Sequence, residues 1–176
     1  MKMYMWFSVV MTTSAVYAQT TIRPITQEQI PAAKETIISA WNEVLGTDRT
    51  VEGWEKHGHF DDLNDVDHKF ISFFVLLDEG TVVGTAGIKP LNNGICELKR
   101  MWLLKPYRGK GWGGKLLDSL VADAITQGFK RMYLEVWMPQ RQQQALNFYQ
   151  KHGFSEIPAY RESREGALFM EKILER

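Results

Sequence analysis

The chain of 176 residues has a single cysteine, Cys96, and no net charge, with 21 Lys and Arg against 21 Asp and Glu. One cysteine excludes an internal disulfide. Lying in an apolar, strand-like run, it reads as a small buried core residue. A cysteine nucleophile would need a nearby histidine and a lowered pKa, and its neighbours supply neither. Balanced charge argues against a nucleic-acid partner, which calls for a basic excess or stripe, yet a local cluster can still hold a small anion. No internal repeat and no low-complexity tract is present. No apolar run is long enough to span a bilayer, so no membrane partner is expected. Residues 1–18, with Lys2, the apolar stretch Met3–Met11 and Ala18, form an N-terminal extension outlined like a secretory signal peptide. A misplaced start or an added N-terminal element would look the same.

What the sequence does have is apolar bulk: 44% hydrophobic residues, including 6 Trp, 6 Tyr and 9 Phe. That suffices for one core, and residues 19–176 are expected to form a single domain. The elements follow from periodicity and breakers. Thr21–Pro24 reads as a strand. Thr26 and Gln29 have capping-box spacing ahead of Ile30, Ala33, Ile37, Ile38, Trp41 and Leu45, which recur at helical spacing until Gly46. Residues 47–60 read as a loop and Asp61–Lys69 as a short acidic helix. Strands are expected at Phe70–Leu77 and Thr81–Lys89, joined by Asp78-Glu79-Gly80, and at Ile95–Leu104 after Asn92-Asn93-Gly94. A helix carrying Leu116, Leu117, Leu120, Val121, Ala124 and Ile125 runs to Gly128. A strand Arg131–Trp137, a helix Gln140–His152 and a strand Ala167–Ile173 complete the chain. This order predicts an α/β fold with a mixed sheet and helices on its faces.

The run Tyr107-Arg108-Gly109-Lys110-Gly111-Trp112-Gly113-Gly114-Lys115 joins a strand to a helix. Its glycines allow positive φ and close approach of backbone to a ligand. Its N–H groups, the helix N-terminus and Arg108, Lys110 and Lys115 all favour a phosphate or pyrophosphate. Gly109, Gly111 and Gly114 satisfy G-x-G-x-x-G, and Glu135 lies at a ribose-binding distance beyond them. A dinucleotide fold, however, needs more βα units than the remaining chain can hold. Gly109–Lys115 also matches G-x-x-x-x-G-K, but Leu116 replaces the hydroxyl that a P-loop places on Mg²⁺. The third match is [RQ]-x-x-G-x-[GA], at Arg108, Gly111 and Gly113.

With Glu97-Leu98-Lys99-Arg100-Met101-Trp102-Leu103 ahead of it, this last pattern strongly resembles the strand–turn–helix core of the GNAT (Gcn5-related) N-acetyltransferase superfamily. Ala145–Phe154 resembles the family's A-x-x-x-Y-x-x-x-G-F segment, and Gly166–Glu171 is similar to the ending of many bacterial members. The resemblance covers about residues 20–174. It departs from the common pattern at Gln142, where an Asn is frequent, and at Leu104-Lys105, where Asp-Pro is frequent.

The resemblance implies the acyl-CoA N-acyltransferase fold, a mostly antiparallel sheet splayed between its fourth and fifth strands. It also implies direct transfer of acetyl from acetyl-CoA to a primary amine, with no metal. Met101, Trp102 and Leu103 would lie beside the pantetheine. Arg108, Gly109, Lys110, Gly111, Trp112, Gly113 and Gly114 would surround the pyrophosphate, and Gln142 would add a cofactor contact. Tyr149 stands where the family places its general acid, and a backbone N–H near Leu103 would serve the oxyanion. An alkyl ammonium has a pKa of about 10.4 and must lose a proton before it attacks, so a base is useful. Glu97 occupies the strand position of the catalytic glutamate found in some members. On strict alternation it shares a face with Lys99, Met101 and Leu103.

The acceptor, a small-molecule or peptide amine, is not named by the sequence. His57, His59, Asp61, Asp62, Asp65, Asp67 and His68 fall in the region from which the family builds its acceptor pocket. An acidic lining would suit a cationic amine. His57-x-His59 with Asp61 also has metal-ligand spacing, although polar exposed helix and loop explain the same residues. A non-catalytic acyl-CoA-binding module and a nucleotide-binding enzyme on the glycine turn stay open, and so does a homodimer. Dependence on acetyl-CoA, an intracellular metabolite, points to the cytoplasm. Cleavage after Ala18 would point to export.

Overall fold

The computed structural model describes residues 20–175, so the signal-like segment 1–18 lies outside the described residues. The elements, in chain order, are β1 (Thr21–Pro24), α1 (Ile30–Leu45), α2 (Val51–Glu55), α3 (Asp61–Asn64), α4 (Val66–Lys69), β2 (Ser72–Asp78), β3 (Thr81–Pro90), β4 (Ile95–Leu103), α5 (Trp112–Thr126), β5 (Arg131–Val136), α6 (Gln143–Lys151), β6 (Ser155–Ile157) and β7 (Leu168–Ile173). The sheet order is β1-β2-β3-β4-β5-β7-β6.

The first helix begins and ends where the sequence signals lie. Gln29 Oε1 accepts from the Thr26 N–H at 3.0 Å, and Gly46 closes the helix at φ 67° with its N–H on the Asn42 carbonyl. The stretch 47–60, expected as a loop, contains α2. Thr50 Oγ1 caps it by accepting from the Gly53 N–H at 3.1 Å, and Trp54 anchors it in the core at 8% exposure. Five residues with Gly53 among them carry no apolar period, which is why the pattern missed this helix. The expected acidic helix is two separate turns, α3 and α4, because Asp65 between them leaves helical geometry at φ −136°, ψ 50°. The expected helix from Gln140 starts as a 3-10 turn, Pro139–Arg141, and turns α-helical at Gln143. Strand β6 was not expected. It is a short edge strand with an exposed pattern.

Two apolar layers sandwich the sheet. Leu116, Leu117 and Leu120 of α5 and Leu146 of α6 pack with Ile88, Cys96 and Leu98 on one face. Ile37 and Ile38 of α1, Trp54, Phe60, Leu63 and Val66 pack with Phe73 and Val75 on the other. Cys96 is fully buried, and burial pushes its thiol pKa up to about 12, as an inert core residue requires.

The feature that positions a site is where the sheet opens. β4 and β5 are parallel neighbours, but they pair only over Ile95–Glu97 and Arg131–Tyr133. Both continue beyond that point, β4 to Leu103 and β5 to Val136. The expected splay between the fourth and fifth strands is therefore present. It leaves the β5-facing edge of β4 without a strand partner from Leu98 onward.

Candidate active site

A cleft of about 1540 Å³ fills the opening between β4 and β5. Its walls come from both layers of the sandwich. Met101 and Leu103 pack toward the α5/α6 layer, Trp102 packs toward the α1/α2 layer, and all three line the cleft. The cleft thus passes through the sheet.

That arrangement corrects the alternation expected for β4. Cys96 and Leu98 share the α5/α6 face with Met101 and Leu103, so residue parity reverses between 98 and 101. The cause is a bulge. Arg100 has φ 56°, and the β3–β4 register shifts between Thr85 and Gly87, where Trp102 and Lys99 are the partners. Glu97 consequently does not share a face with Met101 and Leu103.

On the α5/α6 side the glycine turn forms the cleft wall. Gly109 and Gly111 have φ of 70° and 85°, conformations that a side chain would strain. Gly111 is the N-cap of α5, so the free N–H groups of the first turn of α5 open here. Gly113 and Gly114 serve closeness instead. A Cβ on Gly113 would stand 3.3 Å from the Phe148 ring, and one on Gly114 3.1 Å from His152 Nε2. Gly109, Gly111, Gly113 and Gly114 all line the cleft, whereas Lys110 and Trp112 do not. Trp112 instead lies under the Lys115 ammonium, 4.3 Å away. Arg108 lines the cleft, but its guanidinium is committed: Nε donates to the Leu103 carbonyl and Nη1 to Glu43 Oε1, both at 2.8 Å.

Helix α6 supplies the next wall. The Gln142 side chain donates to the Trp137 carbonyl and braces the end of β5. The Tyr149 ring packs edge-on against Phe148 and Phe154, with centroids 5.4 and 5.6 Å away. Tyr149 lines the cleft, and burial raises the pKa of its phenol. Sequence reasoning missed His152. Its Nδ1 donates to the Phe148 carbonyl at 2.8 Å, which turns Nε2 toward Gly114 at the mouth of α5.

On the α1/α2 side the cleft is aromatic and charged. Trp41 lies 4.9 Å from Trp102, 5.3 Å from Trp137 and 5.8 Å from Trp54, centroid to centroid. Glu97 is buried at 4% exposure and stands behind the cleft. It accepts from Tyr160 at 2.6 Å and Arg161 at 2.7 Å, and the Lys99 ammonium is 3.1 Å away. Of the carboxylate pair Glu97 and Glu135, Glu135 is the one on the cleft wall. Its partners are Arg161 at 2.5 Å, the Ser163 hydroxyl, and Lys99 at 3.9 Å. Burial lowers the Lys99 pKa despite the pull of Glu97. The strand alternation Tyr133, Glu135, Trp137 was the available signal for Glu135.

The acidic run near residue 60 does not line the site as expected. Of the expected His57–His68 residues, His59 and Asp62 reach the cleft, and Asp62 is held by Lys89 at 2.7 Å and Arg100 at 2.8 Å. Asp65 pairs with His68 and Asp67 with Gln27. His57 and His59 have centroids 6.3 Å apart, and His59 packs on Trp54.

The chain resembles known proteins in both sequence and fold. The family model "Acetyltransferase (GNAT) family" matches residues 35–154. The uncharacterized N-acetyltransferase YjgM of Escherichia coli K12 is 39% identical over 89 residues, which are 49% of this chain and 52% of that protein. The chain therefore spans about half of that relative's length. The IAA acetyltransferase of Azospirillum brasilense is 33% identical over 66% of this chain and 76% of its own. Among solved structures, a GNAT acetyltransferase of Staphylococcus aureus Mu50 superposes with TM-score 0.76 at 23% identity over 89% of this chain and 100% of its own. The PaiA N-acetyltransferase of Thermoplasma acidophilum, in complex with coenzyme A, superposes with TM-score 0.72 at 22% identity over 88% and 98%. With more than half of its length matched by the family model, this chain belongs to the acetyltransferase (GNAT) family.

Proposed function

We propose that the protein transfers acetyl from acetyl-CoA to a primary amine of a small molecule or peptide. One observation carries the reading: the cleft through the sheet is bordered by the glycine turn, the unpaired edge of β4 and Tyr149. The pyrophosphate lies on the amides of the Gly109–Gly114 turn and the first turn of α5. The pantetheine arm runs along the free edge of β4 at Met101–Leu103, where its amides can hydrogen-bond as an added strand would. The thioester then sits between the strands, a backbone N–H near Leu103 faces the oxyanion, and the amine enters from the tryptophan side.

The amine nitrogen attacks the thioester carbon, the C–N bond forms and the C–S bond breaks. Tyr149 gives its proton to the departing thiolate. It has no hydrogen-bond partner among the described residues, which leaves its O–H available. The amine's proton goes to the Glu135 carboxylate. Glu135 faces the cleft, and Glu97 behind it holds in place the Arg161 and Lys99 they share. Gln142 holds Trp137 and so the far wall. Lys110 supplies long-range positive potential to the pyrophosphate. Trp112 supports the turn.

Because acetyl-CoA is made and used inside cells, we place the protein in the cytoplasm. N-terminal sequencing from the native host checks this, and cleavage after Ala18 would reverse it. The activity is tested by thiol release from acetyl-CoA across polyamines, amino acids, aminoglycosides and peptide N-termini. Binding of acetyl-CoA with no thiol release on any amine would leave only a sensing module.

A further inference from the structure

The α1/α2 end of the cleft has a charge pattern that selects its acceptor, given the acetyl-transfer reading above. Its cations are Arg49, Lys89, Lys99, Arg100, Arg161 and Arg164. Four of the six are paired: Lys89 and Arg100 share the single carboxylate of Asp62, and Lys99 and Arg161 sit on Glu97 and Glu135. Arg49 and Arg164 have no carboxylate partner among the described residues. Arg164 is nevertheless held in place, with its guanidinium carbon 4.2 Å from the Trp137 ring centroid. Both arginines line the cleft together with His59. After burial, the cations Arg164, His57, Arg100 and Arg49 are what press its pKa down. The mouth is therefore net positive, and it is walled by Trp41, Trp54 and Trp137. The Trp54 indole N–H is buried there without an acceptor.

A positive mouth repels a polyamine and attracts an anion. Indole walls take up a flat apolar body. We infer that the acceptor is a small amine bearing a carboxylate and an aromatic side chain, its carboxylate seated on Arg49 and Arg164 and its ring on the tryptophan wall. The same positive field favours the neutral form of the bound amine, which is the form that attacks the thioester. Bond making is unchanged: the nitrogen gains the acetyl carbon and loses a proton to Glu135, and CoA leaves as the thiol.

The test compares the full-length protein on matched acceptors: free tryptophan and phenylalanine, the same compounds without the carboxylate (tryptamine, phenethylamine), and spermidine. Products are confirmed by mass. Losing one charge-assisted contact predicts a kcat/KM about 10- to 100-fold lower for tryptamine than for tryptophan. In R49Q/R164Q that ratio should fall toward one, whereas R49K/R164K should keep most of it. Retained thermal stabilisation by acetyl-CoA reports that each variant is folded. The inference is overturned if tryptamine or spermidine is used as well as tryptophan. It is also overturned if the ratio survives in R49Q/R164Q, or if none of these amines is acetylated while acetyl-CoA still binds. Absence of acetyl-CoA binding by the wild-type protein would instead remove the acetyl-transfer reading, and this inference with it.

Discussion

Tyr149 combines a cleft position with surroundings that resist loss of its proton, since burial raises the phenol pKa. A donor that stays protonated through neutral and mildly alkaline pH suits a thiolate leaving group. Tyr149→Phe should lower kcat about 10²–10⁴-fold, the usual scale of general acid–base catalysis, with little change in KM for acetyl-CoA. Steady-state thiol release checks this, and wild-type turnover would refute it. Asp62 works differently. Burial alone would raise its carboxyl pKa, but Arg100 and Lys89 overcome that and hold it below 3.8. The stabilisation is therefore complete above that value and is lost as pH falls through the lower, folded-state value. Asp62→Asn should destabilise the protein by about 1–3 kcal/mol at pH 7, because two cations lose a partner. Denaturant melts at neutral pH and at successively lower pH should show the gap narrow on acidification.

At the scale of elements, the turn into α5 uses its glycines for two separate reasons. Gly111 has open space around a built Cβ but φ of 85°, whereas Gly114 faces His152 Nε2 at 3.1 Å. Gly111→Ala should cost about 1–2 kcal/mol through left-handed strain. Gly114→Ala should change stability by less than about 1 kcal/mol, since gained helix propensity offsets the push on His152. Both should raise KM for acetyl-CoA. Thermal melts beside steady-state kinetics separate the two effects, and a stability-neutral Gly111→Ala would contradict the turn geometry. The bulge at Arg100 is the other decisive local feature. It turns Met101 and Leu103 to one face of the sheet and Trp102 to the other. It also points the Arg100 side chain to Asp62 and to the His59 carbonyl at 2.5 Å.

For the whole molecule, the two apolar layers hold a sheet that is closed at one end of the β4–β5 pair and open at the other. A ligand in that opening touches both layers, so binding should stabilise the entire fold. At a hundredfold excess over its Kd, acetyl-CoA should add about 2.7 kcal/mol and raise Tm, while NAD and ATP should not. Stabilisation by NAD or ATP alone would favour a nucleotide enzyme. Among the described residues no helix is long and apolar enough to cross a membrane.

The sequence by itself determined the parts whose causes are local: helix α1 between its cap and Gly46, the leucine face of α5, the glycine turn, and the Tyr149 segment with its family resemblance. It could not show α2, whose Trp54 anchor has meaning only against α1. It could not show that Asp62, Asp65 and Asp67 are spent on Arg100, Lys89, His68 and Gln27, because those partners are distant in the chain or depend on how the turns are placed. Alternation along β4 misplaced Glu97, because a bulge changes residue parity without any sequence signature as plain as a glycine. Only tertiary structure decided that Glu135 rather than Glu97 faces the cleft, and that Trp41, Trp54, Trp102 and Trp137 converge with two unpaired arginines at one mouth. Convergence of that kind depends on strand register and on layer packing. Both are set by contacts between segments far apart in the chain.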